Sequence, residues 1–291
     1  MLIKDIYNQN DGVLSFEVFP PKTDSGVQTI MDALQEMSLM EPGFISVTYG
    51  AGGTGIKSMT TEIASYIKNT LKSEPMAHLT VIGMTKAEVR EILQSFKDNN
   101  IQNIMALRGD IPQGYDGKSD FPYAKDLMEF IKSEGNFGIG GAFYPEGHID
   151  CNCMDSNFDH ILQKQESGAD FLVSQLFFDD EMYMRFIEKA RDKGVTIPLV
   201  AGIMPIMTKS QVQRMIFQCG VSLPSGIIKI LHKYEHNHDD LMKAGIEYAN
   251  GQIETLYKNG HKHIHLYSMN KPMIARECKD FYDNLKASTK R

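Results

Sequence analysis

Eight short runs of apolar and β-branched residues recur along the chain, at 14–19, 44–49, 78–83, 103–108, 137–144, 170–178, 198–204 and 263–267. Runs of this length bounded by turn residues read as strands. The segments between them have helical spacing: Met59, Ile63, Ile67 and Leu71 share one face, as do Val89, Ile92, Leu93 and Phe96. Thr85 with Glu88, and Thr208 with Gln211, carry the spacing of a capping box, which marks two helix starts. A helix after every strand implies parallel neighbours, because a parallel pair needs a long crossover connection. Eight such units predict an α/β chain closed into a (β/α)8 barrel of the TIM type, one domain spanning residues 1–291. An open doubly wound sheet is the competing arrangement. No linker rich in Pro, Gly or Ser divides the sequence.

Composition narrows the function. A net charge of −7, with no block of Lys or Arg, lacks the basic footprint of a nucleic-acid binder. No apolar run is long enough for a membrane span. The first residues, MLIKDIYNQNDG, break their apolar positions with charges too early for a secretory signal, so a cytoplasmic location is expected. Four cysteines make no disulfide framework. Cys151 and Cys153, flanked by His148 and His160, form the one cluster with metal-binding chemistry, but no metal site is expected because the other soft ligands, Cys219 and Cys278, lie far off in sequence. The partners expected are small molecules, with the chain assembling as a homo-oligomer.

In a barrel of this kind chemistry sits at the carboxyl ends of the strands. Glu17, Thr48, Asp110, Tyr144, Gln175 and Tyr267 come late in six different strands and would converge on one mouth. Alternation puts Leu14, Phe16 and Val18 on one face of the first strand and Ser15, Glu17 and Phe19 on the other. A carboxyl facing inward without a partner is expected to shift toward the neutral acid, which suits a general acid. Pairing with an interior Lys or Arg is the alternative. Gly50, Gly52 and Gly55 satisfy G-x-G-x-x-G after a strand. The apolar helix pattern starts only near Met59, so Gly55 is expected in a loop at the mouth rather than packing helix on strand. Arg108-Gly109-Asp110 brings a guanidinium and a carboxylate out together, either as a site or as a local ion pair. Gln175 interrupts an apolar run and must find a partner in a ligand or a neighbouring strand. Gln211 has either a capping role or a ligand contact, and Lys271 follows the last strand.

Several segments together resemble methylenetetrahydrofolate reductase. They are Phe16-Glu17-Val18-Phe19-Pro20-Pro21-Lys22, Ser46-Val47-Thr48-Tyr49-Gly50-Ala51-Gly52-Gly53, His78-Leu79-Thr80, Leu107-Arg108-Gly109-Asp110, Tyr144-Pro145-Glu146-Gly147-His148, Gln175-Leu176-Phe177-Phe178-Asp179, Gly202-Ile203-Met204-Pro205 and the stretch around Tyr267. The resemblance runs the length of the chain in family order and implies the same barrel. It implies FAD as cofactor, with Thr48, Tyr49, Ala51, His78, Arg108, Gly109, Asp110, Ala124, Tyr144, His148, His160 and Lys164 along the flavin. It further implies ping-pong hydride transfer from NADH or NADPH to methylenetetrahydrofolate, feeding methionine synthesis. By the same resemblance Glu17 is the acid, Asp110 acts at both flavin and folate, and Gln175, Gln211 and Lys271 contact substrate. The chain departs from the family at Thr54-Gly55-Ile56-Lys57, where Ser-Thr-Arg-Asp is common, at His160 and Gln163, at Met215 where an aromatic residue stands, and at Lys271 in place of an arginine. Competing functions are a proline dehydrogenase-like flavin barrel, a flavin or folate subunit of a larger electron-transfer complex, and a Rossmann-type dehydrogenase using residues 50–55.

Overall fold

The computed structural model describes all residues except 22, 24–25, 50–52, 112–113, 116, 149–153 and 290–291, with the side chains of 53–58 also outside the description. A short helix, α1 (Ile3–Gln9), precedes the repeats. Then follow β1 (Leu14–Val18), α2 (Val27–Ser38), β2 (Ile45–Val47), α3 (Gly53–Ser65, continued by a π turn over Tyr66–Thr70), β3 (Pro75–Thr80), α4 (Lys86–Asp98), β4 (Asn103–Leu107) and α5 (Ala124–Glu134). The second half runs β5 (Gly138–Phe143), α6 (Met154–Glu166), β6 (Phe171–Ser174), α7 (Asp180–Asp192), β7 (Leu199–Ile203), α8 (Lys209–Cys219), α9 (Ser225–Lys233), α10 (His238–Lys258), β8 (Ile264–Tyr267) and α11 (Pro272–Ser288). All the strands pair parallel in chain order, and β8 closes on β1. The ring is therefore a closed barrel, and the open sheet is excluded.

The inward faces form layers. At the amino-terminal end α1 stops the ring with Ile3, Ile6 and Tyr7, its first amide donating to Asn103 Oδ1 at 2.8 Å. Above it Phe44, Met76, Met105, Phe171, Val173 and Val200 fill the interior. Each such side chain contributes roughly 1.5–3 kcal/mol by leaving water. The uppermost layer is polar, with Glu17, Ser46, His78, His265 and Tyr267 at or near the carboxyl ends. Outward residues such as Phe16, Leu34, Ile104 and Leu266 build the main core between strands and helices.

Most strand ends differ from the sequence reading by one or two residues, and three elements differ by more. The third strand is Pro75–Thr80, three residues earlier than 78–83. Proline is tolerated as a first strand residue, while beyond Thr80 the amides of Val81 and Ile82 both turn to the Arg108 carbonyl and Gly83 sits at φ 73°. The sixth strand stops at Ser174, because the apolar residues after Gln175 pack against helices instead of pairing: Phe177 enters the main core and Leu176 and Phe178 join Met204 and Ile206. Gly55 lies inside α3 rather than in a loop, since that helix starts at Gly53, six residues before Met59. Gly50 and Gly52 fall outside the described residues. The capping box at Thr85 and Glu88 is complete. At Thr208 only half of one forms: its hydroxyl accepts from the Gln211 amide, but the Gln211 side chain reaches one residue further back, to Met207 N at 2.8 Å.

Candidate active site

Strand register brings the polar layer together. Glu17 pairs with Ser46 on one side and with Tyr267 on the other, and Ser15 pairs with His265. Because alternate residues share a face, Ser15, Glu17, Ser46, His265 and Tyr267 all point into the ring. Glu17 Oε2 lies 3.4 Å from Ser46 Oγ, which donates to it, and 3.5 Å from the Nε2 atoms of both His78 and His265. His265 is fully buried; its Nδ1 lies 2.7 Å from Ser15 Oγ and its Nε2 3.1 Å from Ser46 Oγ.

Burial pushes the Glu17 carboxyl up, but the hydrogen bond from His265, the neighbouring imidazoles of His78 and His265 and the Ser46 hydroxyl outweigh it, and the net shift is downward. The expectation of a partnerless carboxyl drifting toward the neutral acid is corrected: two imidazoles and a hydroxyl surround it, in place of the alternative Lys or Arg. Burial also drives His78 down to about 4, which keeps it neutral at physiological pH. Its Nε2 has no hydrogen-bond partner.

The remaining candidates ring this centre. Thr48 follows β2 and its carbonyl accepts from Thr60 Oγ1 at 3.1 Å; the buried Tyr49 hydroxyl beside it has no partner and is pushed up to about 12, by burial and then by Glu88. Ala51 lies outside the described residues. Arg108 closes β4 and its Nε donates to Gly109 O at 3.1 Å. Gly109 sits at φ 93°, where a Cβ would collide with Thr80 Cγ2, so only glycine fits. Asp110 is exposed at the rim. Tyr144 and His148 meet edge to face at 4.6 Å. Lys164 on α6 donates to Ala142 O at 2.6 Å, and burial together with the Arg108 charge brings its ammonium down to about 8. Ala124 opens α5, and His160 is exposed on α6.

Among the substrate candidates, Gln175 folds back so that its Oε1 accepts from Leu176 N at 2.9 Å. Gln211 is buried and its amide reaches Pro205 O at 3.4 Å, in addition to the Met207 contact. Lys271 is exposed at the start of α11. Cys151 and Cys153 fall outside the described residues, and among the described ones no group of three metal-ligating side chains gathers.

Two like charges held close, with orphaned polar atoms nearby, suit a polar anion. Arg108 and Lys164 repel each other across the mouth. Tyr49 Oη, His78 Nε2 and Tyr115 Oη are buried without hydrogen bonds, a costly state that a ligand would relieve. A dinucleotide flavin, with a diphosphate and a ring rich in acceptors, matches that donor set. A separate cleft of about 640 Å³ opens at the other end of the barrel, lined by Lys68, Lys72 and Lys97. Those lysines are already bonded to Glu74, Asn69 O and Glu134 O, and no candidate residue reaches it.

Sequence reasoning missed Ser15, Ser46 and His265 as parts of this centre. The available signal was period two: each lies two residues from a residue that was singled out, Ser15 from Glu17, Ser46 from Thr48 and His265 from Tyr267.

A family profile described as methylenetetrahydrofolate reductase matches residues 2–281. The chain is 34% identical over 283 residues to methylenetetrahydrofolate reductase (NADH) 1 of Arabidopsis thaliana, covering 92% of this chain and 48% of that protein. It is 33% identical over 258 residues to 5,10-methylenetetrahydrofolate reductase of Pectobacterium carotovorum, covering 89% and 86%. The chain thus spans about half the length of the plant relatives and most of the bacterial one. Among solved structures, an uncharacterized protein from Clostridium thermocellum that binds two copies of 5-methyl-5,6,7,8-tetrahydrofolic acid superposes at TM-score 0.67, with 16% identity and 99% of each chain covered. That likeness concerns the fold.

Proposed function

Because this chain belongs to the methylenetetrahydrofolate reductase family, we propose that it reduces 5,10-methylenetetrahydrofolate to 5-methyltetrahydrofolate, using NADH or NADPH and a bound FAD in a ping-pong cycle. The observation that carries this reading is Glu17, an ionisable carboxyl inside the barrel mouth with Ser46 and two imidazoles around one oxygen. The plant relatives' names specify NADH, which favours that donor.

When bound, FAD supplies the hydride chemistry that links nicotinamide to folate. The protein's task is to hold, orient and protonate. Arg108 and Lys164 would hold the diphosphate as charge-assisted donors. Asp110 stabilises positive charge on the folate once its five-membered ring opens. Glu17 hands a proton to a folate nitrogen, which makes the one-carbon unit electrophilic. Gln175 exchanges its contact with Leu176 N for the pterin, and Gln211 and Lys271 line the outer substrate site.

Purified protein is expected to be yellow, to bleach anaerobically with NADH or NADPH, and to regain its colour on adding methylenetetrahydrofolate. Bleaching without a folate-dependent return sinks the reading. In Glu17→Gln, flavin reduction should stay near normal while reoxidation by folate slows by roughly 10²–10⁴, the range for one general acid. Equal losses in both half-reactions would remove Glu17 from that role.

A further inference from the structure

An acid whose surroundings favour its anion needs a proton source, and the hydrogen-bond geometry behind Glu17 contains one. Ser15 Oγ has a single hydrogen, which it donates to the Ile264 carbonyl at 3.2 Å. A carbonyl only accepts, so with the Ser15 hydrogen committed there the 2.7 Å contact between Ser15 Oγ and His265 Nδ1 takes its hydrogen from Nδ1. In that arrangement Nδ1 carries a hydrogen and Nε2 is the exchangeable position. Nε2 faces Ser46 Oγ at 3.1 Å and Glu17 Oε2 at 3.5 Å, while Ser46 Oγ lies 3.4 Å from the same carboxylate oxygen. Ser46 has one hydrogen for two acceptors. A hydrogen on Nε2 completes the set: Nε2 donates to Ser46 Oγ and Ser46 donates to Glu17 Oε2, so a hydrogen-bonded path runs from the imidazole to the carboxylate.

We propose that His265 is the positioning and proton-storing residue of this site: it keeps at Nε2 the proton that Glu17 passes to the substrate. The His265 Nε2–H bond breaks as a Glu17 O–H bond forms, with Ser46 giving its own hydrogen to Glu17 while taking that of the imidazole. The Glu17 O–H bond then breaks as the N–H bond on the folate forms. No electron changes hands in either step. Phe44 stacks on the imidazole at 5.6 Å and Tyr267 meets its edge at 5.5 Å, so the ring cannot turn away. The titratable groups facing the pair are His78 from β3 and Tyr267 from β8. His78 Nε2 has no hydrogen-bond partner among the described residues, and Tyr267 is committed to Ser174 O at 2.7 Å. Neither replaces His265.

The role on substrate rests on the proposed reduction, so the test reads the proton unit separately. Carboxyl-¹³C glutamate spectra, with the Glu17 signal assigned by its loss in Glu17→Gln, give its titration in wild type and in His265→Asn. Asparagine keeps a donor toward Ser15 and removes the group at Nε2. The Glu17 midpoint should rise by about one pH unit or more; an unchanged midpoint overturns the proposal. Should His265→Asn fail to fold, Ser46→Ala takes its place, with a smaller rise expected and no rise again overturning it. In wild type, ¹⁵N-histidine spectra should show a hydrogen on both Nδ1 and Nε2 of His265 in the resting protein; a bare Nδ1 or a bare Nε2 overturns the assignment. His265→Gln should slow reoxidation by folate at least tenfold and flatten its pH profile while leaving reduction by NADH unchanged. A wild type whose His265 and Glu17 spectra behave as stated but which never reduces the folate would refute the proposed function and leave the proton unit standing.

Discussion

The hydroxyl of Tyr267 on β8 donates to the carbonyl of Ser174 on β6 at 2.7 Å, reaching over β7 at the point where Gly202 has no side chain. A Cβ at Gly202 would meet the Tyr267 ring at 2.7 Å and would also press on Ser174 O. Gly202→Ala should cost roughly 1–3 kcal/mol, the usual penalty for overpacking, and should tilt Tyr267 toward the mouth. Denaturant unfolding gives the first quantity, and the fluorescence of a chain in which Tyr267 is compared with Tyr267→Phe gives the second. A Gly202→Ala protein as stable as wild type would show that the tyrosine has room elsewhere.

Flavin affinity should fall as pH rises through about 8. Lys164 is charged below that value and loses its proton above it, and a diphosphate beside it would favour the charged form. Binding at pH 8.5 should therefore take up protons, measurable as buffer-dependent heat in calorimetry. Lys164→Met should weaken FAD binding roughly tenfold to a hundredfold, as expected for a lost hydrogen bond to a charged group, and should abolish the proton uptake. Uptake that persists in the variant points to a different group.

Acid should unfold the protein early. Burial holds His78 and His263 down at about 4, against about 6.5 in an unfolded chain. Unfolding then binds protons between those values, so stability rises from about pH 4 to about 6.5 and is flat above. At 1.36 kcal/mol per pH unit, each histidine accounts for at most roughly 3 kcal/mol. Glu17 adds to the same side: its depressed value gives stability that is present above the ordinary carboxylate range and lost as pH falls. Urea midpoints at pH 7.5, 6 and 4.5 measure the slope, and equal midpoints would contradict the buried neutral state of both rings.

Tyr7→Phe should be neutral or stabilising by about 1 kcal/mol. The ring packs edge-on against Phe44, Phe171 and His263, while its buried hydroxyl has no hydrogen-bond partner. Removing an unsatisfied buried polar atom recovers its desolvation cost and leaves the packing in place. A loss of stability beyond 1 kcal/mol would reveal a partner for that oxygen.

The barrel was legible because its strands carry a physical requirement. Each must be apolar outward and followed by a crossover helix, and both signals survive in a single sequence. Edges were less legible. The third strand starts at Pro75, ahead of the apolar run that marks it, and the apolar Leu176–Phe178 run serves helix packing rather than pairing. The site was legible as residues and illegible as electrostatics. Glu17 stood out as an inward carboxyl, yet its protonation depends on His78 and His265, which lie 61 and 248 positions away and arrive only through register. The alternate-residue rule identifies the faces. It does not say which residues of neighbouring strands stand level with each other.

The amino-terminal helix has a bearing on the order of events. With Ile3, Ile6 and Tyr7 stopping the far end and an apolar stretch from Phe44 to Val200 above them, the described residues leave the carboxyl-terminal mouth as the way in. Whatever recharges the acid must come in by the route the substrate takes.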